Sequence, residues 1–104
     1  MAIPMRYRVA SLDDIPNGGA LAVDVGEKRI ALFRHQEEVF ALDETCPHRG
    51  GPLHDGHVDR GVVLCPWHRW QFDLRTGCSP VNPLSKVRVY PVRVEGTEVF
   101  LEMD

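Results

Sequence analysis

Hydrophobic and polar residues alternate over short stretches of this chain, and turn-forming residues separate most of these stretches. Brief segments of this kind, rich in β-branched and aromatic residues, are typical of strands rather than helices. The pattern predicts strands over residues 6–10, 20–25, 28–34, 39–42, 61–64, 71–73, 86–90, 92–95 and 98–102. We therefore expect an all-β fold.

The residues between these segments predict how neighbouring strands connect. Gly26 and Glu27 suit a two-residue hairpin turn between the second and third strands, and Gly96 marks another turn near the end of the sequence. A further short strand over 57–59 is predicted to form a small hairpin with 61–64 around Arg60. Residues 11–16, Ser-Leu-Asp-Asp-Ile-Pro, predict a single short helical turn whose acidic residues are structural.

Two segments bring candidate metal chemistry to this framework. Cys46-Pro47-His48 and Cys65-Pro66-Trp67-His68 each place a cysteine close to a histidine, and residues 49–64 separate the two segments. Pro47 and Pro66 restrict the backbone directly after each cysteine. This arrangement predicts a four-ligand metal site in two matching halves, each half giving one sulfur and one nitrogen.

The two segments resemble the ligand loops of the Rieske [2Fe-2S] family. The resemblance runs through 46–53, Cys-Pro-His-Arg-Gly-Gly-Pro-Leu, and 65–73, Cys-Pro-Trp-His-Arg-Trp-Gln-Phe-Asp, and extends more loosely over nearly the whole chain. In Rieske centres two cysteines hold one iron and two histidines hold the other. The resemblance implies one [2Fe-2S] cluster per chain, with these ligands: Cys46, His48, Cys65 and His68.

The resemblance also implies a fold and a domain organisation. Family members form an antiparallel β-sandwich with an inserted cluster-binding subdomain made of two ligand loops, which here corresponds to about residues 45–74 of a single domain over 1–104. A Pro-rich loop covers the cluster in the family, and residues 79–84 fit that loop. Gly50 and Gly51 would let backbone N–H groups approach the sulfurs, where a side chain could obstruct them.

A structural zinc site could use the same four residues and is the alternative reading. Zinc sites more often group closely spaced pairs of cysteines, which makes that reading the weaker one. The other histidines, His35, His54 and His57, have no cysteine at ligand spacing and are expected on the surface or supporting the site.

Length, charge and the first residues restrict the possible functions. The 104 residues leave no room for the second, mononuclear-iron domain that Rieske oxygenase subunits carry. The first eight residues contain no apolar run of signal or membrane-spanning length, so we expect a soluble, cytoplasmic protein without a membrane partner. A net charge of −3 argues against nucleic acid as a partner.

The three cysteines leave no internal disulfide once two of them are assigned to iron. High-potential members of the family carry two further cysteines that bridge the ligand loops, and Gly51 and Trp67 occupy the corresponding positions here. Cys78 is expected to be a small buried residue near a turn.

Residues near the second ligand loop bear on the redox potential and on docking. High-potential members place a Ser and a Tyr hydroxyl near the cluster sulfurs, but the corresponding residues here are Trp70 and Phe72. This predicts a potential near the low end of the Rieske range of about −150 to +300 mV. Arg69 stands where many ferredoxins of the family have Gly, and with Arg49 it is expected to flank the exposed cluster edge and steer a partner.

The resemblance implies a soluble Rieske-type ferredoxin, an electron carrier and not an enzyme on its own. Its expected partners are an NAD(P)H-dependent flavin reductase and a terminal oxygenase such as a dioxygenase. One alternative is the small subunit of an assimilatory NAD(P)H nitrite reductase, bound to the large subunit of that enzyme. Another alternative is a stand-alone binding or redox-sensing module.

Overall fold

The computed structural model describes residues 5–46, 50–67, 69–82 and 84–103. The strands in this part of the chain pair antiparallel in three sheets. In chain order they are β1 Met5–Ser11, β2 Ala20–Val25, β3 Lys28–His35, β4 Glu38–Asp43, β5 His57–Asp59, β6 Val62–Leu64, β7 Gln71–Asp73, β8 Val89–Tyr90, β9 Val92–Glu95 and β10 Glu98–Met103.

Two of the three sheets form the larger part of the fold, and the third forms an inserted unit. One sheet has the strand order β2-β3-β4-β8, and a second has the order β1-β10-β9. The third sheet, β5-β6-β7, is continuous in sequence and lies within the 45–74 segment expected to bind the cluster. The predicted all-β class and the antiparallel Rieske architecture are confirmed.

Strand β3 is buried on both faces. Ile30 and Leu32 contact one hydrophobic cluster, while Ala31 and Phe33 contact another, and all four have no exposed surface. Successive side chains of a strand point to opposite faces of the sheet, so the β2-β3-β4-β8 sheet has a core on each side. The cluster formed with Ala31 and Phe33 also contains Leu53, Val63 and Phe72 of the inserted unit.

Four hairpin turns among the described residues carry residues in the left-handed backbone region, including the turn predicted at Gly96, whose φ is 62°. Gly26 has a φ of 61° in the turn from β2 to β3, as the two-residue turn prediction requires. Gln36 and Glu37 make the next turn with φ values of 50° and 66°. Arg60 and Gly61, at 53° and 77°, close the small hairpin of β5 and β6. The consecutive left-handed residues at 36–37 and 60–61 match the right-handed twist of the flanking strands.

The short helical turn predicted after β1 is present as a 3₁₀ turn over Leu12–Asp14. The Ser11 side chain accepts a hydrogen bond from the Asp13 backbone N–H, while the Asp14 carboxylate accepts one from the Ser11 N–H. The Asp14 carboxylate is thus structural, as expected, and Asp13 takes part through its backbone N–H. No helix among the described residues is long and apolar enough to cross a membrane.

One predicted strand is much shorter than expected. Residues 86–90 were expected to be extended throughout, but β8 is only Val89–Tyr90. Lys86 instead makes an isolated bridge to Cys78, and the Val87 N–H donates to the carbonyl of Gly77. This approach requires glycine at 77, because a Cβ there would lie 2.2 Å from the Val87 carbonyl oxygen.

Candidate metal centre

Cys46 and Cys65 each begin a loop, and the same kind of backbone hydrogen bond closes both loops. The Cys46 N–H donates to the carbonyl of Gly51 at 2.9 Å, and the Cys65 N–H donates to the carbonyl of Trp70 at 2.7 Å. In both loops the acceptor lies five positions after the cysteine. The two halves that the sequence predicts are therefore also matched in backbone geometry.

Cys46 and Cys65 are buried together. They belong to the same hydrophobic cluster, with exposed fractions of 2% and 1%. Burial raises the pKa of the Cys65 thiol to about 11, the Cys46 thiol acts in the same direction, and the Trp67 backbone hydrogen bond acts against it. Gly51 connects the two cysteines in space: its carbonyl accepts from the Cys46 N–H, and a Cβ on it would lie 2.6 Å from Cys65 Sγ. The two cysteines therefore lie at one site, as shared ligation of one iron requires.

His48 and His68, the two predicted nitrogen ligands, lie outside the described residues, as does Arg49. Within the described part of the chain, no group of three or more His, Cys, Asp and Glu side chains could hold a metal ion. The structure therefore brings the sulfur half of the predicted ligand set together, and the nitrogen half stays a prediction.

The backbone around the sulfurs fits a cluster in the way expected for Gly50 and Gly51. A Cβ on Gly51 would lie only 2.6 Å from Cys65 Sγ, a separation that real Cβ atoms do not show. Gly50 has a φ of 75°, in the region that favours glycine. The two buried sulfurs and the close glycine backbone are consistent with a thiolate-ligated iron–sulfur group.

A buried carboxylate supports the first loop and was not predicted from the sequence. Glu44 is only 3% exposed, and it accepts a 2.8 Å hydrogen bond from the His54 backbone N–H. Its second oxygen contacts Nδ1 of the His54 ring. The Leu53 N–H donates to the Glu44 carbonyl at 2.8 Å. His54 therefore supports the site, in agreement with the role expected for the leftover histidines.

The hydroxyl positions of high-potential relatives are apolar in the structure. Phe72 is completely buried in the cluster that contains Cys46 and Cys65. Trp70 is partly buried and packs against the same cluster. Neither side chain carries a hydroxyl that could donate to a cluster sulfur, as the prediction of a low potential requires.

Arg69 lies in a backbone conformation that favours glycine. It is exposed and has a φ of 56°, and it directly follows His68 in the sequence. It also lines a cleft of about 360 Å³ beside the second loop. The other residues of that cleft are Asp55, His57, Leu64, Cys65 and Pro66.

Cys78 is exposed, so the prediction of a buried cysteine is wrong. Its neighbours Gly77 and Ser79 are buried, and the alternation of an extended segment turns Cys78 outward. His57 is exposed, and His35 is partly buried in a second cleft.

The 79–84 loop was expected to cover the cluster. Contacts between this loop and the two cysteines are not part of the described structure, so the covering role of the loop stays a prediction.

The fold and the paired cysteine loops define a class of iron–sulfur protein. A family model of the Rieske [2Fe-2S] domain matches residues 5–91, and the chain belongs to that family. The ferredoxin component of the naphthalene 1,2-dioxygenase/salicylate 5-hydroxylase systems of Ralstonia sp is 38% identical over 96 residues, covering 91% of this chain and 92% of that relative.

Two solved structures extend the comparison. The ferredoxin of carbazole 1,9a-dioxygenase from Nocardioides aromaticivorans IC177 is 31% identical, with a TM-score of 0.87 over 99% of this chain and 100% of that one. A putative NADH-dependent nitrite reductase small subunit from Mycobacterium tuberculosis is 25% identical, with a TM-score of 0.90 over 99% and 98%. Both proteins are similar in length to this chain.

Proposed function

We propose that this chain is a Rieske-type ferredoxin, a one-electron carrier between an NAD(P)H-dependent flavin reductase and a terminal oxygenase. The observation that carries the proposal is the pair of neighbouring buried thiols, Cys46 and Cys65, each at the start of a loop closed by the same hydrogen bond. Relatives named as ferredoxin components of dioxygenase systems support it.

The proposed ligand set divides between two irons of one [2Fe-2S] cluster per chain. Cys46 and Cys65 would hold one iron, and His48 and His68 would hold the other. The cluster, when bound, accepts and releases a single electron. Residues 1–104 form one Rieske domain, in which about residues 45–74 make up the cluster-binding subdomain.

The described residues contribute a dry, fixed environment rather than a substrate site. Burial of Cys46 and Cys65 among apolar side chains excludes water from the sulfurs. Glu44 and the Asp43–Tyr90 hydrogen bond fix the strand that leads into the first loop. Little rearrangement is then needed when the charge of the site changes, which favours fast electron exchange.

The proposed docking surface is the end of the molecule that carries the ligand loops. Arg69 is exposed there, and Arg49 follows the first histidine in sequence. Positive charge on this surface favours an acidic partner surface and accelerates encounter. We propose a cytoplasmic location, with neither nucleic acid nor a membrane as partner.

The direct test is metal and sulfide analysis combined with reconstitution. Purified protein should contain about two irons and two acid-labile sulfides per chain, and its reduced form should show a rhombic EPR signal. It should also support electron flow from a flavin reductase to a terminal oxygenase. A colourless protein that binds one zinc contradicts the proposal.

The alternative of a nitrite reductase small subunit is supported by the structural similarity to the Mycobacterium tuberculosis protein. The two functions differ in how the chain associates with its partner. A permanent subunit copurifies with a large reductase chain from the native host, whereas a carrier is recovered free. Stable copurification would therefore favour the alternative.

A further inference from the structure

Trp67 makes a contact that ligation does not require. Its side chain is 51% exposed, yet its base lies against Gly51 in the opposite ligand loop. A Cβ built on Gly51 would stand 3.2 Å from the Trp67 Cβ and 3.1 Å from its Cγ. Because Gly51 is buried and has no side chain, the indole of one loop rests directly on the backbone of the other.

The contact between Trp67 and Gly51 joins the two ligand loops at a point where their separation is close to that of a disulfide. Cysteines in a disulfide have Cβ atoms about 3.5–4.5 Å apart, slightly farther than the 3.2 Å between the ideal Gly51 Cβ and the Trp67 Cβ. The same Gly51 Cβ would lie 2.6 Å from Cys65 Sγ, so the junction also lies beside a ligand sulfur. Holding the loops together at this point therefore holds Cys65 in place.

We propose that Trp67 is a positioning residue that clamps the second ligand loop onto Gly51 and slows loss of the cluster. The clamp rests on the proposed ligation by Cys46 and Cys65. The indole base restrains the separation of the loops, and the ring limits access of water to the sulfur beneath it. Unlike a disulfide, this contact contains no bond that cellular thiols can reduce, so it persists in a reducing compartment.

The first test compares cluster lifetimes in the holoprotein. Trp67→Ala should release iron to a ferrous chelator several-fold faster than wild type under anaerobic conditions, and it should broaden the EPR signal of the reduced cluster. Trp67→Phe keeps an aromatic ring on Gly51 and should stay near the wild-type rate. Met5→Ala is the control, because Met5 is 59% exposed and lies in the β1-β10-β9 sheet.

The second test keeps the base of the side chain and removes the ring. Trp67→Leu retains carbon atoms at Cβ and Cγ against Gly51, and it should release iron at a rate between those of wild type and Trp67→Ala. A Trp67→Leu protein that releases iron no faster than Met5→Ala overturns the clamp even if Trp67→Ala does not assemble a cluster.

Failure of the clamp and failure of the proposed function give different results. A wild-type protein without iron and sulfide contradicts the ligation itself. A wild-type protein with a complete cluster, together with Trp67→Ala that releases iron no faster than Met5→Ala, contradicts only the clamp.

Discussion

The Tyr90 hydroxyl donates a 2.6 Å hydrogen bond to Asp43 Oδ1 and so ties the end of β8 to the end of β4. The backbones of the two strands are joined beside it, because the Asp43 N–H donates to the carbonyl of Arg88 at 3.0 Å. Tyr90 is 2% exposed, and β4 leads directly towards Cys46. The hydrogen bond therefore fixes the strand on which the first ligand loop is built.

We expect Tyr90→Phe to lower the free energy of unfolding by about 1–2 kcal/mol, because the partly buried Asp43 carboxylate loses a donor. The midpoint of denaturant unfolding measures this loss. Tyr7→Phe is the matched control. Within the described residues, the Tyr7 hydroxyl makes a single hydrogen bond, a weak one to the Met5 sulfur at 3.6 Å. Equal midpoints for the two variants would contradict the role of the hydrogen bond.

The same tyrosine should make stability depend on alkaline pH. Burial and the Asp43 carboxylate raise the pKa of Tyr90 from 10 to about 12. The unfolded chain thus loses this proton near pH 10, while the folded chain keeps it. The stabilisation is complete below pH 10 and is lost as the pH rises towards 12. Unfolding midpoints of wild type should approach those of Tyr90→Phe across this window, and parallel curves would oppose the prediction.

Glu44 offers a test of how the first loop is supported. Glu44→Ala leaves the partly buried His54 N–H without its acceptor, and we expect a loss of about 1–3 kcal/mol. Glu44→Gln keeps a carbonyl oxygen at the same place and should cost less. Amide hydrogen exchange at His54 should accelerate strongly in the alanine variant and only modestly in the glutamine variant. Equal exchange in both variants would show that the acceptor oxygen is unimportant.

The lack of a hydroxyl on Trp70 and Phe72 predicts the direction of a change in potential. Trp70→Ser combined with Phe72→Tyr should raise the midpoint potential, because donors to the sulfurs stabilise the more negative, reduced cluster. Phe72 is fully buried, so the added oxygen must find space next to the cysteines. Redox titration measures the potential, and the visible spectrum verifies the cluster. A folded variant with an unchanged or lower potential contradicts the expected geometry.

Arg69 combines backbone strain with a charge at the proposed docking surface. Arg69→Gly should raise the free energy of unfolding by about 1 kcal/mol, because glycine adopts a φ of 56° without steric cost. The same variant should slow second-order electron transfer to the oxygenase and weaken its dependence on salt, and Arg69→Glu should slow it further. Stopped-flow kinetics at several ionic strengths measure both effects.

Arg60→Gly is the matched control for this experiment. Arg60 is also exposed and left-handed, with a φ of 53°, but it lies in the turn of the β5-β6 hairpin rather than in a ligand loop. It should gain similar stability without a change in electron-transfer rate. Equal rates in all three variants would place docking on another surface.

Local sequence was enough to predict most strands and turns. β2, β5, β7 and β9 match their predicted bounds, since their alternation and their flanking turn residues are both encoded within a few positions. The Ser11 cap and the Arg60 turn were predictable for the same reason. The two cysteines were predictable because each lies in a short motif whose residue types have few other uses.

Features that depend on distant partners were not predictable in this way. Cys78 looked like a core residue by type, but its exposure depends on pairing with Lys86 across a loop. The role of Glu44 has no local signal, because its partner His54 follows ten positions later and only the fold brings the two together. The contact between Trp67 and Gly51 likewise arises from the approach of two loops, which no local pattern records.

The burial of β3 on both faces affects how the protein unfolds. Ile30 and Leu32 belong to one core, and Ala31 and Phe33 belong to the core that also holds the cysteines. Separating the strand from either core exposes apolar surface of both, so the two cores should melt as one cooperative unit. Amides of β3 should be the slowest to exchange with solvent. Substitutions that destabilise the site of Cys46 and Cys65 should also lower the stability of the β1-β10-β9 sheet.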